Sequence, residues 1–263
     1  MLIDSHAHLD YEYAETTEQL LANADLAGVK RVIAIAAAAD SLERTRDLAE
    51  RFSNVFFTSG IHPHDSKDFT PEIFSRIRAL AAHPKCVAVG ELGLDYFYEH
   101  STHETQFSAL EQQLRFSAEI GKPVVVHTRE ADADTVRFLT EHSREFLKNH
   151  PGRSPGVIHC FTGSRALAEQ TLALGYHISF SGILTFKTAE DLRITAKEVV
   201  PLDRLLVETD SPFLAPIPHR GKKNQPAFTR VVAEKLAELK GISLEELAKH
   251  TTANTERLFA LPA

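Results

Sequence analysis

The chain has 263 residues, 43% of them hydrophobic and 25% charged, with a formal net charge of −7. This is the composition of a globular protein rather than a disordered or fibrous one, and the length suits a single barrel. The longest purely apolar run, Val32–Ala39, is too short to cross a bilayer, and the acidic balance argues against broad, non-specific duplex binding. Protein-bound divalent cations would change that sign locally.

The N-terminus, Met1-Leu2-Ile3-Asp4-Ser5-His6, has no basic segment, apolar segment or cleavage site, which predicts a cytoplasmic protein. Eight short β-rich runs then follow in order: Leu2–His6, Arg31–Ala36, Val55–Gly60, Cys86–Glu91, Pro123–His127, Gly156–Cys160, Tyr176–Ser181 and Arg204–Glu208. Most are near-continuous apolar stretches, as parallel strands covered by helices require. Helical periodicity separates them, marked by Leu20, Leu21 and Ala24, then Phe107, Leu110, Leu114 and Ala118, then Leu167, Leu172 and Leu174. Pro226–Lys240 and Leu244–His250 follow the last run, with a short closing segment to Leu258. Strand–helix alternation without a linker predicts the α/β class, a single (β/α)8 TIM barrel over residues 1–263. An open doubly wound sheet is the alternative, but no GxGxxG follows the first run to support a dinucleotide-binding half. Cys86 and Cys160 lie in apolar runs and are expected to be reduced, buried packing residues.

The chemistry lies at the predicted strand ends. The first run ends in His6-Ala7-His8, the third leads into Gly60-Ile61-His62-Pro63, and the fourth ends in Gly90-Glu91-Leu92-Gly93. The fifth ends in His127, the sixth in His159, and the eighth in Glu208-Thr209-Asp210-Ser211-Pro212. Barrel enzymes place their active sites on this face. Residues i and i+2 of an extended segment point the same way, so His6 and His8 can reach one ion. His127 and His159, from neighbouring strands, can hold a second. Glu91 lies between the two groups and has two oxygens with which to bridge them. Asp210 closes the ring beside the first strand and can also accept a proton from an activated water. Imidazole suits Zn and Mn, and carboxylate extends the range to Mg. Two adjacent ions activate water and stabilise attacking and leaving oxygens.

These motifs together resemble the TatD family of metal-dependent deoxyribonucleases, within the wider amidohydrolase-type barrels. The resemblance rests on Asp4-Ser5-His6-Ala7-His8-Leu9-Asp10, Gly60–Pro63, Gly90–Tyr96, His127-Thr128-Arg129, His159–Gly163 and Glu208–Pro212, and runs from Asp4 to about Asn254. Many amidohydrolase-type barrels bridge their metals with a carbamylated lysine; the corresponding position here is Glu91. The resemblance implies a divalent-metal nuclease or phosphodiesterase acting on DNA. It also implies that His6, His8, Glu91 and Asp210 hold one metal, and Glu91, His127 and His159 the other.

Other residues are candidate substrate contacts. His62 can donate a hydrogen bond to phosphate, or serve only its turn. Arg129 can clamp phosphate bidentately, or pair with Glu91 or Asp132. Glu208 shares a strand face with Asp210 and is expected to orient a ligand. Pro216–Pro226 is a basic, Pro-flanked loop in which Arg220, Lys222 and Lys223 can attract a nucleic-acid backbone or remain merely solvated. Tyr96, Phe97 and Tyr98 can stack on bases or simply pack. The leading expectation is exonucleolytic cleavage of DNA from a single-stranded or frayed end, by water activated by two divalent ions (Mg, Mn or Zn), with Asp210 as proton acceptor. Hydrolysis of another ester or amide, such as an aminoacyl-tRNA ester, is one alternative. A non-catalytic barrel used for partner binding is another, although no ligand position is lost. No membrane and no obligate protein partner are indicated.

Overall fold

Runs of Val, Ile, Leu and Phe minimise their exposed apolar surface as strands covered on both faces. A computed structural model, describing residues 1–98 and 100–262, forms such a sheet. Its strands are β1 Leu2–Ala7, β2 Val29–Ala34, β3 Val55–Ser59, β4 Cys86–Asp95, β5 Val124–Arg129, β6 Gly156–Ile158, β7 His177–Phe180 and β8 Leu205–Val207. Each pairs in parallel with the next in chain order. The first and last are joined by a bridge between Ala7 and Ser211, by the Asp210 N–H to the His6 carbonyl (2.9 Å) and by the His8 N–H to the Ser211 carbonyl (2.8 Å). This is a (β/α)8 barrel.

The connecting helices are α1 Thr17–Leu26, α2 Ser41–Arg51, α3 Pro71–Ala81, α4 His103–Ile120, α5 Asp132–Asn149, α6 Arg165–Ala173, α7 Glu190–Glu198, α8 Thr229–Lys240 and α9 Leu244–Phe259. Thr16, Thr70, Thr102, Ser164 and Ser243 cap their helices by accepting a backbone N–H, which fixes where each begins. Among the described residues no helix is long and apolar enough to cross a membrane. Ile3, Ile33, Phe56, Val87, Val125, Val157 and Leu206, from seven of the strands, form one buried cluster with Leu258, Phe259 and Leu261 at the chain's end. A larger cluster packs strands against helices.

Most expected boundaries shift by a few residues, and two shift by four or more. The segment after Leu244 is one helix to Phe259 rather than a break near His250. Its polar β-branched residues are compatible with the helix because their side chains are satisfied. Thr251 and Thr255 bond carbonyls one turn back, Thr252 bonds the Met1 carbonyl, and Asn254 bonds those of Leu202 and Leu205. The fourth strand does not end at Glu91 but continues to Asp95, with a register break against β5 between Val89 and Leu92. Gly93 permits this: a Cβ there would lie 1.9 Å from the His127 carbonyl oxygen. Beyond the break, Gly93 pairs with His127 and Asp95 with Arg129.

Candidate metal centre

The strand order brings His6, His8, Glu91, His127, His159 and Asp210 to the C-terminal mouth. Glu91 lies at the centre, and its two oxygens face different partners. Oε2 lies 3.5 Å from His6 Nε2 and 3.8 Å from His8 Nε2. Asp210 Oδ1 lies 3.6 and 3.5 Å from the same nitrogens, which are themselves 3.4 Å apart. Glu91 Oε1 lies 3.4 Å from His127 Nδ1 and 2.7 Å from His159 Nε2. Donors held tetrahedrally about 2.0–2.1 Å from one ion lie about 3.4 Å apart, so the first set has the spacing of a single cation cage. His159 Nε2 is buried and makes no aligned hydrogen bond despite its approach to Glu91. A cation between the two would satisfy both, so the donor set fits divalent metal.

Neighbouring carboxylates set which nitrogen of His127 and of His159 keeps a lone pair. Asp95 Oδ2 lies 3.0 Å from His127 Nε2, so the proton belongs there and Nδ1 turns its lone pair towards Glu91. Glu208 Oε1 lies 3.3 Å from His159 Nδ1 and accepts the Cys160 N–H at 2.6 Å, which frees His159 Nε2. Glu208 therefore has the arrangement of a residue that orients His159, although its carboxylate also lies near His6. His62 differs. Its Nδ1 accepts the His64 N–H at 3.1 Å, so the neutral ring carries its proton on Nε2, 3.4 Å from Glu91 Oε1. Burial pushes the His62 imidazole well below its ordinary value, which favours that neutral form. His62 is thus a hydrogen-bond donor at the cavity wall rather than a further lone-pair ligand, even though its position is close enough to count among the possible ligands.

Burial alone would push the Glu91 carboxyl up, but His159, His62 and His6 hold it well below the usual carboxylate range. Asp210 follows the same logic, with burial opposed by the His8 hydrogen bond and by His6 and His159. The backbone at the mouth is strained: Glu130, Cys160, Asp210 and Leu214 all have φ between 42° and 56°. Such conformations cost on the order of 1–3 kcal/mol each for ordinary residues and cluster at functional sites.

The cavity above the cage has a volume of about 570 Å³ and is lined by Tyr11, His62, Tyr98, Arg129, Phe213 and Leu214 besides the cage itself. Arg129 pairs with neither Glu91 nor Asp132. Its guanidinium lies 3.9 Å over the Phe97 ring and 4.8 Å over Tyr98, with no hydrogen bond to any described residue. Tyr96 turns away, stacking on His103 at 3.8 Å and donating its hydroxyl to Asp134. Arg220 packs over Phe186 and Lys223 donates to the Glu12 carbonyl; with exposed Lys222 they lie outside the lining of the cavity. Cys86 is buried as expected, whereas Cys160 is only partly buried and lines the mouth.

Sequence reasoning did not single out Asp95, His64 or Asp4. Asp95 accepts from both His64 (2.9 Å) and His127, and an acidic residue inside an apolar strand run was the available signal. Asp4 accepts the Thr209 N–H and hydroxyl at 2.9 and 2.6 Å, tying β1 to the segment that carries Asp210. Burial pushes the Asp4 carboxyl up to about 7, against the pull of those Thr209 bonds.

A barrel with a carboxylate-centred histidine cage at its C-terminal mouth belongs to the class of metal-dependent barrel hydrolases. Residues 3–260 match the family described as TatD related DNase. The chain is 47% identical to the metal-dependent hydrolase YcfH of Escherichia coli K12, covering 100% of this chain and 97% of that one. It is 33% identical to the 3'-5' ssDNA/RNA exonuclease TatD of Cronobacter sakazakii, covering 94% and 93%. The crystal structure of YjjV, a TatD homologue from Escherichia coli K12, superposes with a TM-score of 0.90 at 30% identity, covering 99% and 98%. The chain belongs to the TatD family of metal-dependent hydrolases.

Proposed function

We propose that this chain is a phosphodiesterase that uses two divalent ions to hydrolyse DNA exonucleolytically, from a single-stranded or frayed end. The observation that carries the reading is the division of Glu91: one oxygen faces His6, His8 and Asp210, the other His127 and His159. His6, His8, Glu91 and Asp210 would hold the first ion, and Glu91, His127 and His159 the second. Bound there, Mg, Mn or Zn supplies the acidity that makes water a nucleophile near neutral pH and the charge that stabilises the attacking and leaving oxygens.

The chain's own residues do the rest. Asp210 lines the cavity and is ionised at neutral pH, so it can take up the proton that the attacking water loses. The histidines of the cage cannot, because their free lone pairs point into it. His62 presents an N–H to a phosphate oxygen. Arg129 presents a planar guanidinium whose donors bond no described residue, the geometry that bidentate phosphate binding needs. Arg220 and Lys222 lie farther out and attract the backbone without contacting the reacting group. A relative that bears the name 3'-5' ssDNA/RNA exonuclease supports a nucleic-acid substrate.

The test is hydrolysis of short end-labelled oligonucleotides by metal-reconstituted protein. A ladder of single-nucleotide steps on single strands, absent with chelator, is expected. No cleavage of any DNA, with turnover of a carboxylic ester or amide under the same conditions, would overturn the reading.

A further inference from the structure

Among the described residues four Phe or Tyr side chains are exposed, Tyr11, Phe97, Tyr98 and Phe213, and all four surround the mouth of the cavity. Apolar groups left in water at one place mark a binding surface. They form two walls. Phe97 and Tyr98, just past β4, have the Arg129 guanidinium lying over their rings. Tyr11, in the turn after β1, and Phe213, in the loop after β8, form the other wall. They meet edge to face at 5.7 Å and 86°, and lie 5.0 and 6.0 Å from the His8 ring. Among the described residues neither carries a cation over its face, and the Tyr11 hydroxyl has no hydrogen-bond partner.

We propose that Tyr11 and Phe213 form a stacking platform for the unpaired base beside the scissile phosphate. The proposal rests on the phosphodiesterase reading, because the cage beside His8 is what places that phosphate. The edge-to-face contact braces each ring against the other, so little mobility is lost when a base arrives. Every base has a π-face, so such a platform does not read sequence. It favours unpaired nucleotides: within a duplex both faces of a paired base are covered by its neighbours, whereas an unpaired nucleotide is free to turn a face towards the rings. The platform and Arg129 stand on different walls, so base and phosphate are held from different directions.

The test is equilibrium binding of metal-reconstituted protein to phosphorothioate single strands that resist hydrolysis. One strand carries a fluorescent adenine analogue at its terminus and the other an abasic residue there. Wild type is expected to quench the analogue and to bind the base-bearing strand about ten-fold more tightly than the abasic one. The double variant Tyr11→Leu/Phe213→Leu keeps apolar bulk but offers no aromatic face; it is expected to lose that ratio and keep the affinity for the abasic strand. Equal wild-type affinity for both strands overturns the platform. So does a variant weakened equally on both, which would make the rings mere supports for His8. Cleavage of the unmodified strands is followed in parallel. Base-dependent binding without cleavage would sink the phosphodiesterase reading and leave the platform standing; cleavage with base-independent binding does the reverse.

Discussion

Replacing Asp95 by Asn should weaken one metal ion and spare the other. The carboxylate is the same size as the amide, so packing is preserved, but all four of its acceptor contacts are in use. Oδ1 accepts the Phe97 and Tyr98 N–H groups, both at 2.9 Å, and Oδ2 accepts His64 and His127. An amide has one acceptor oxygen. If its nitrogen faces the histidines, donors meet donors unless His127 moves its proton to Nδ1, the atom that faces Glu91. If it faces the loop instead, two backbone N–H groups lose their partner. The lone pair that would hold the second ion is compromised in the first case and the loop in the second.

Residues that orient metal-bound histidines typically contribute 10–100-fold in affinity, or about 1.4–2.7 kcal/mol. Calorimetric titration of metal-stripped protein with Mn should resolve two ions in the wild type. In Asp95→Asn the weaker-bound ion should lose about 10–100-fold while the other changes little. Two controls bracket it: Glu91→Gln should weaken both ions together, and His127→Ala should empty one. Two ions at wild-type affinity in Asp95→Asn, or equal loss of both, would refute the orientation argument.

Other outcomes follow from the same geometry. Asp210→Asn should abolish most turnover while leaving substrate affinity and at least one ion, whereas His62→Ala should mainly raise KM; steady-state kinetics that show the reverse exchange the two roles. Neutralising Arg220, Lys222 and Lys223 together should raise KM and flatten its dependence on salt, and an unchanged salt slope would mark the loop as solvated surface. Burial holds the His142 and His177 imidazoles down to about 3, from an ordinary value of 6.5. Both folded values are depressed, so the stability these residues support is complete above about pH 6.5 and is lost as pH falls towards 3, about 2 kcal/mol per residue at pH 5. Urea unfolding should show that slope, and His177→Gln should reduce it by about one proton.

The barrel was legible because its alternation repeats eight times, and six candidate ligands could be picked out because a barrel delivers every strand end to one rim. What could not be read depends on contacts between distant segments. Gly90 and Gly93 look like a strand's end, yet a Gly93 backbone against the His127 carbonyl lets β4 run on and carry Asp95 behind His127. The tautomer of His62, which separates donor from ligand, is set by the His64 N–H. The basic loop was expected at the mouth from its place after Asp210. Phe213 and Leu214, which precede it, do line the cavity, but within the loop His219 stacks on Phe228 at 3.9 Å and Arg220 covers Phe186, which gives its charges other neighbours. Charge alone suggested a contact where packing decides the position.

On the phosphodiesterase reading, the charge distribution also bears on how an acidic chain would take a polyanion. The mouth gathers the carboxylates of Glu91, Asp95, Glu208 and Asp210 within or directly behind the cage. At such range a low-dielectric wall magnifies their repulsion for phosphate, and outlying lysines, screened within about 8–10 Å, cannot cancel it. Only cations lodged among the carboxylates change the sign where the phosphate must lie. On the two-ion reading, the same Glu91 and Asp210 that make the site hostile to DNA are what recruit the charge that admits it. On that reading metal loading would govern substrate entry as well as chemistry, while Arg220, Lys222 and Lys223 would act on the approach alone.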